Sequence, residues 1–198
     1  HEEMYPKGQS DITVVDPIWV READEAVSRP THFRGVCTVV TKLFNMVKPT
    51  RAFFGRKDAL QCIVVSKMNK DLNGTVEIIT CPIYREPDGL AMSSRNVYLS
   101  PEERKIAPEL YKALTNGALL YSSEVKTTGV DIIQPVMKHL QQYPLTIDYV
   151  NLMDYSGRTF KPTAVINQPV ILSLAVKIGK TRLIDNIWLP LVHGDLPI

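Results

Sequence analysis

From position 35 onward the apolar residues fall at helical spacing. Val36, Val39, Val40, Leu43, Phe44 and Val47 recur three and four apart, which predicts an amphipathic helix over 35–47. Lys48-Pro49 ends it, because proline disfavours helical backbone in the residue before it. Ala52-Phe53-Phe54 is then a wholly apolar run closing at Gly55, the pattern of a buried parallel strand. A second helix is predicted from an Asp58 cap to about Leu72. After the Asn73-Gly74 turn, the β-branched run over 75–81 predicts another strand. Helix, strand, helix and strand joined by short connections predict an α/β unit with a doubly wound parallel sheet. Ahead of this, Pro6, Gly8, Pro17 and Pro30 break the first thirty positions into loops.

The pattern changes after Pro82. A polar loop leads to Ser100-Pro101-Glu102-Glu103, a capping box with proline at the first helical position, which predicts a helix to about Tyr121. A further helix is expected over 130–143, bent at Pro135. Three strand-like runs follow over 146–153, 169–178 and 181–189, the last two joined by a tight hairpin at Gly179-Lys180. Helices followed by antiparallel strands predict a smaller α+β domain over 84–198, with 1–83 belonging to the parallel sheet.

Composition serves mainly to exclude. Of 198 residues, 44% are hydrophobic and 22% charged, which suits a globular protein and not a disordered tail or coiled coil. The net charge of +2 comes with no tract of like charge, so neither a nucleic-acid surface nor interleaved aromatic and basic residues is indicated. No apolar run approaches bilayer length. Cys37, Cys62 and Cys81 are odd in number, lack a C-x-x-C spacing and each sit in an apolar stretch. They read as small hydrophobes in a reducing, cytoplasmic setting. His1, His32, His139 and His193 have no metal-ligand spacing.

Candidate chemistry concentrates in two segments. Gly55-Arg56-Lys57-Asp58 lies between a predicted strand and helix, where open parallel sheets bind ligands and helix amides meet anions. Gly55 would admit close approach, Lys57 would offer a compact charge to phosphate, and Asp58 would accept from a hydroxyl while capping the helix. An ordinary glycine turn with a solvated Arg-Lys pair explains the same residues. Met92-Ser93-Ser94-Arg95-Asn96 joins small hydroxyl residues and exposed amides to a fixed cation, which suits an oligophosphate but equally a polar linker. Gln61, one turn into the second helix, could face the same crevice. Gly179-Lys180-Thr181 looks like the end of a P-loop, but Leu174 stands where its first glycine belongs. Asn73-Gly74-Thr75 matches a glycosylation signal that a cytoplasmic chain would not use.

Taken together, these segments resemble the pantoate–β-alanine ligases, adenylate-forming nucleotidyltransferases. The resemblance is carried by Met4-Tyr5-Pro6, by the run from Arg29 to Val36, by Phe53 to Asp58, by Asp88 to Asn96 and by Thr181 to Asn186, all in family order. It implies a partial Rossmann-like sheet followed by a lid domain, and a cytoplasmic homodimer. The implied activity joins pantoate to β-alanine through pantoyl adenylate, with ATP as substrate and Mg²⁺ as cofactor, releasing AMP and pyrophosphate. Gly55, Arg56, Lys57, Asp58, Tyr84, Met92, Ser93, Ser94 and Arg95 would bind ATP, Tyr84 through its backbone. Lys57 and Arg95 would be catalytic, and Gln61 would bind pantoate.

The sequence also departs from the family. The upstream PTMGxLHxGH motif is absent, arginine stands at 56 where glutamate is usual, and Ala59-Leu60 replaces a more polar or aromatic pair. These departures lead to the expectation of a fragment, inactive or poorly soluble alone, with a sheet edge and an apolar face uncovered. The alternatives are a non-catalytic nucleotide-binding or dimerising remnant, and a related nucleotidyltransferase acting on another carboxylic acid.

Overall fold

A computed structural model describes residues 2–6, 8, 12–121 and 126–190. Among the described residues, two sheets organise the chain. In the first, β1 (Arg51–Gly55) pairs in parallel with β2 (Glu77–Cys81). The crossover between them is a 3₁₀ turn, Arg56–Asp58, followed by α3 (Ala59–Asp71). Ahead of β1 lie a short α1 (Asp24–Ser28) and the long α2 (His32–Val47). Lys48 closes α2 in the left-handed conformation, its N–H bonded to the Phe44 carbonyl. Phe33, Cys37 and Val40 of α2 pack against Leu60, Val64, Val65 and Met68 of α3, with Val20 beneath them.

The second unit begins beyond β2. Helix α4 (Pro101–Ile106) opens with the predicted capping box: Ser100 and Glu103 exchange side-chain and backbone hydrogen bonds. The single helix expected to run on to Tyr121 is instead two. Proline at 108 has no N–H and its ring crowds the preceding turn, so the chain breaks and restarts as α5 (Glu109–Ala118). Helix α6 (Gly129–Leu140) starts on a second capping box, Thr128 with Asp131, and carries Pro135 inside it. Strands β3 (Thr146–Asp154), β4 (Val170–Ile178) and β5 (Thr181–Leu189) form an antiparallel sheet in that order. As predicted, Gly179 and Lys180 make the two-residue hairpin, with Gly179 at φ +56°.

Helices α5 and α6 cover one face of this sheet, where Leu114, Ile132 and Val136 meet Leu152, Leu172, Leu174 and Ile187. The opposite face is buried as well, since Ile171, Ser173 and Ala175 of β4 are inaccessible or nearly so. That face lies against the first unit, whose core Met153 joins. In β3 a bulge sets which residues face which side. Asp148 is skipped in the pairing register with β4, so Ile147 and Val150 both face the helices, while Tyr149, Asn151 and Met153 face the first unit.

Two expectations about the first unit need correction. Ala52-Phe53-Phe54 is not buried on both faces: Phe54 joins the core, but Phe53 is 65% exposed. Among the described residues β1 has a neighbour on one edge only, and Arg51, Phe53 and Gly55 along one of its faces are all exposed. Asp58 does not cap its helix through its side chain; the helix is entered through the 3₁₀ turn, with Asp58 half exposed. His1 and His193 lie outside the described residues. Among the described residues no helix is long and apolar enough to cross a membrane.

The cysteines behave as the sequence suggests. Burial pushes the thiols of Cys37 and Cys62 up to about 11, whereas Cys81 is only partly covered. Because the thiolate is the reactive form, iodoacetamide at pH 8 should modify Cys81 first and reach the other two only in denaturant. Equal labelling of all three in the native protein, read by peptide mass spectrometry, would contradict this packing.

Candidate active site

The carboxyl end of β1 and the entry to α3 meet strand β5 of the second sheet. Because side chains alternate along a strand, β5 presents two different rows. Leu183, Asp185, Ile187 and Leu189 turn toward α5 and α6, and Arg182, Asn186 and Trp188 turn toward the first unit. Every polar member of these rows has a partner across the boundary or beside it. Arg182 makes two bonds to Glu25 (3.0 and 2.8 Å) and a third to Asp148 (2.7 Å). Glu25 is a nearly buried carboxylate that also accepts from the Tyr149 hydroxyl at 3.2 Å and stands 3.6 Å from Arg29. Burial, with the Glu25 charge beside it, pushes the Tyr149 hydroxyl far up, so it stays protonated and can keep donating.

On the other row, Asp185 is 3% exposed and grips Arg85 at 2.6 and 3.0 Å. The guanidinium carbon of Arg85 sits over Tyr111, 3.6 Å from its ring centre, and Arg85 bonds the Gly89 carbonyl. Gly89 closes the turn at φ +91°, and a Cβ there would meet Tyr111 at 2.7 Å, so only glycine fits. The Tyr84 carbonyl accepts from Met92 N–H at 2.9 Å, which returns the chain beside itself and delivers Met92 to Arg95.

Two cavities flank the 56–58 turn. One is a slot of about 30 Å³, space for about two water molecules, lined by Lys57, Asp58 and Gln61 together with Arg29, His32 and Tyr149. The other is an open cleft of about 880 Å³, within the usual size of a ligand site, and Arg56, Tyr84, Tyr111 and Trp188 are among its walls. Asn186 borders both. The predicted residues are therefore divided. Lys57, Asp58 and Gln61 converge on the slot, while Arg56 points away and lies 5.0 Å over the Trp188 ring. Tyr84 shares the large cleft with Arg56. Gly55 lines neither; its backbone is ordinary extended chain, and a Cβ there would meet nothing within 4 Å.

Met92, Ser93, Ser94 and Arg95 also line neither cavity. Ser93 instead caps the short 3₁₀ helix Ser94–Tyr98 by accepting from Arg95 N–H. Arg95 donates to the Arg182 carbonyl at 3.2 Å and is near enough to His32 to disfavour a second positive charge there. The slot thus gathers Arg29 and Lys57, balanced on one side by Asp58 and Glu25.

The chemistry of the residues alone did not identify Glu25, Arg85, Tyr149, Asp185 and Asn186. A usable signal was present in Asp185-Asn186, two adjacent polar residues inside the apolar strand Leu183–Leu189. Buried polar groups in such a strand require partners, one on each face.

A parallel α/β unit with a cation-lined slot at the carboxyl end of its strands, closed by a second α+β unit, defines an α/β protein with its site at a strand–helix junction. Comparison with known proteins is more specific. The pantoate-beta-alanine ligase family matches residues 1–188, and the chain belongs to that family. It is 51% identical over 186 residues to the pantothenate synthetase of Thermosipho africanus, covering 93% of this chain and 65% of that protein. It is 50% identical to that of Thermotoga neapolitana, with the same coverage. The chain thus spans just under two thirds of the length of these relatives. The fold matches the pantothenate synthetase of Thermus thermophilus with a TM-score of 0.82 at 38% identity, over 94% of this chain and 66% of that one. It also matches the Francisella tularensis pantoate-beta-alanine ligase, complexed with beta-gamma ATP and beta-alanine. That match has a TM-score of 0.68 at 29% identity, over 94% of this chain and 61% of that one.

Two predictions follow from the electrostatics of the site. Removing one partner of a buried pair strands the other, so Asp185→Asn should cost about 3 kcal/mol in urea unfolding, and the double change Arg85→Met/Asp185→Asn should recover part of it. Burial, then Arg29, depresses the His32 pKa below 6.5. Between the depressed value and 6.5 the unfolded chain binds a proton that the folded chain does not, so folding stability falls as pH drops through that window. His32→Gln should flatten this part of a stability-versus-pH curve, and an unchanged slope would refute the assignment.

Proposed function

We propose that this chain carries ATP-dependent ligation of pantoate to β-alanine. The observation that supports it most is the gathering of Lys57, Asp58 and Gln61 with Arg29 and His32 at one slot, in a chain matched by the pantoate-beta-alanine ligase family over 1–188. In this reading ATP lies across the open side of Gly55, with Arg56, Lys57, Asp58, Tyr84 and the Met92–Arg95 segment around it. Gln61 holds the hydroxyls of pantoate. The protein presents two anions to each other, and its work is to hold them and offset their repulsion.

A pantoate carboxylate oxygen attacks the α-phosphorus, the bond to the β-phosphate oxygen breaks, and pyrophosphate leaves. The β-alanine amine then attacks the acyl carbon, the bond to AMP breaks, and the amine proton passes to solvent. Lys57 and Arg95 carry positive charge to the phosphates in the first step, and neither step needs a protein nucleophile. Magnesium typically takes one or two carboxylates together with phosphate oxygens. Among the described residues no three His, Cys, Asp or Glu side chains form a cage, and Asp58 at the slot fits the role of a single carboxylate. Bound there with the triphosphate, the ion would neutralise phosphate charge.

We further read residues 1–83 and 84–198 as two domains, in keeping with two hydrophobic clusters, the second acting as a lid. The enzyme is read as a cytoplasmic homodimer.

Pantoate-dependent exchange of labelled pyrophosphate into ATP tests the first step. Exchange that requires pantoate, and falls by at least about a hundredfold in Lys57→Ala, is the expected result. Nucleotide binding with no exchange would favour the non-catalytic reading, and exchange untouched by Lys57→Ala would remove that residue from the chemistry.

A further inference from the structure

Asn186 is 3% exposed and stands at the only point where β5 touches both cavities. Its side-chain amide donates to two successive backbone carbonyls, those of Arg56 and Lys57, each at 2.9 Å. Its side-chain oxygen accepts from the indole N–H of Trp188 at 3.0 Å, two residues along the same face of the strand. Chemistry fixes the orientation of this amide. An indole N–H can only donate and a carbonyl can only accept, so a flipped amide would lose all three bonds at once. The backbone of Asn186 is held as well, its N–H by Asp185 Oδ1 at 2.8 Å and its carbonyl by Arg85 at 3.4 Å.

The carbonyls so gripped belong to the turn that sends Arg56 to one side and Lys57 to the other. Arg56 rests over the same Trp188 whose N–H orients the amide, and Lys57, only 19% exposed, enters the slot. Trp188, Asn186 and the two carbonyls therefore form a relay from the second sheet to the backbone of Lys57. We infer that Asn186 is a positioning residue: with its amide occupied by the protein, it fixes the Arg56–Lys57 turn so that the Lys57 ammonium meets an anionic phosphate ligand in one place. This rests on the reading of Lys57 as a phosphate-binding residue.

A residue that acts through Lys57 loses its influence when Lys57 is gone, whereas one that merely joins two units does not. The test is a double-mutant cycle on the full chain, with ATP affinity measured by equilibrium dialysis. Asn186→Ser should weaken ATP binding about tenfold in the otherwise native protein and less than about twofold in the Lys57→Ala background. Equal losses in both backgrounds, or no loss in either, would overturn the inference.

Trp188→Phe keeps a ring beneath Arg56 and removes only the N–H that orients the amide. It should weaken binding in the same direction by about threefold, and serves should Asn186→Ser fail to fold. Limited trypsin digestion gives a readout that needs no ligand. Asn186→Ser should speed cleavage after Arg56 and Lys57 about tenfold relative to cleavage after the exposed Lys67. Absence of ATP binding in the native chain, with this local release retained, would count against the nucleotide reading while the anchoring of the turn stands. Unchanged cleavage would remove the anchoring itself.

Discussion

A carboxylate held almost entirely out of water, Glu25, sets the terms on which the two units meet. An isolated charge in that position would be far too costly, so it requires a cation with matching geometry. Arg182 supplies one, with two parallel bonds to Glu25 and a third to Asp148 that occupies its remaining edge. Once that pair is in place, α1 is tied to β5, Tyr149 is held by its hydroxyl, and the face of the second sheet opposite its helices is committed to the first unit. Asn151, bonded to Asp24 at 2.8 Å, repeats the connection one pleat further on.

An irregularity in β3 sets which of its residues serve which neighbour. A regular β3 would keep one alternation along its length; Asp148, skipped in the pairing register, shifts it by one residue. Ile147 and Val150 can then both face α5 and α6, and Tyr149, Asn151 and Met153 the first unit. The bulged residue is itself used, as the second carboxylate on Arg182 and a partner for Lys177 at 3.9 Å. The apolar core and the polar seam are consequently built from the same three strands, separated by nothing more than strand periodicity.

The same periodicity divides the chemistry. Adjacent residues of β5 serve opposite faces, Asp185 holding Arg85 on Tyr111 and Asn186 holding the Arg56–Lys57 turn. Adjacent residues of the turn likewise serve opposite cavities. The chain belongs to the pantoate-beta-alanine ligase family, and under the function proposed above this division sets Arg56 and Lys57 on two sides of one nucleotide.

Much of this was determined by the sequence alone, wherever a local rule suffices. The spacing of Val36 to Val47, the Ser100–Glu103 box and the Gly179-Lys180 hairpin each depend on residues a few positions apart, and each formed as expected. The motifs from Phe53 to Asp58 and from Asp88 to Asn96 carried the family in the same way. What the sequence left to the tertiary structure were relations between residues a hundred or more positions apart. Glu25 with Arg182, Arg85 with Asp185, and Asn186 with two backbone carbonyls have no signature in local spacing, because nothing in a strand pattern says which polar residue will find which partner. Phe53 makes the same point in reverse. An apolar run predicts that a side chain can be buried, but burial requires another element to lie over it, and only the packed arrangement decides that.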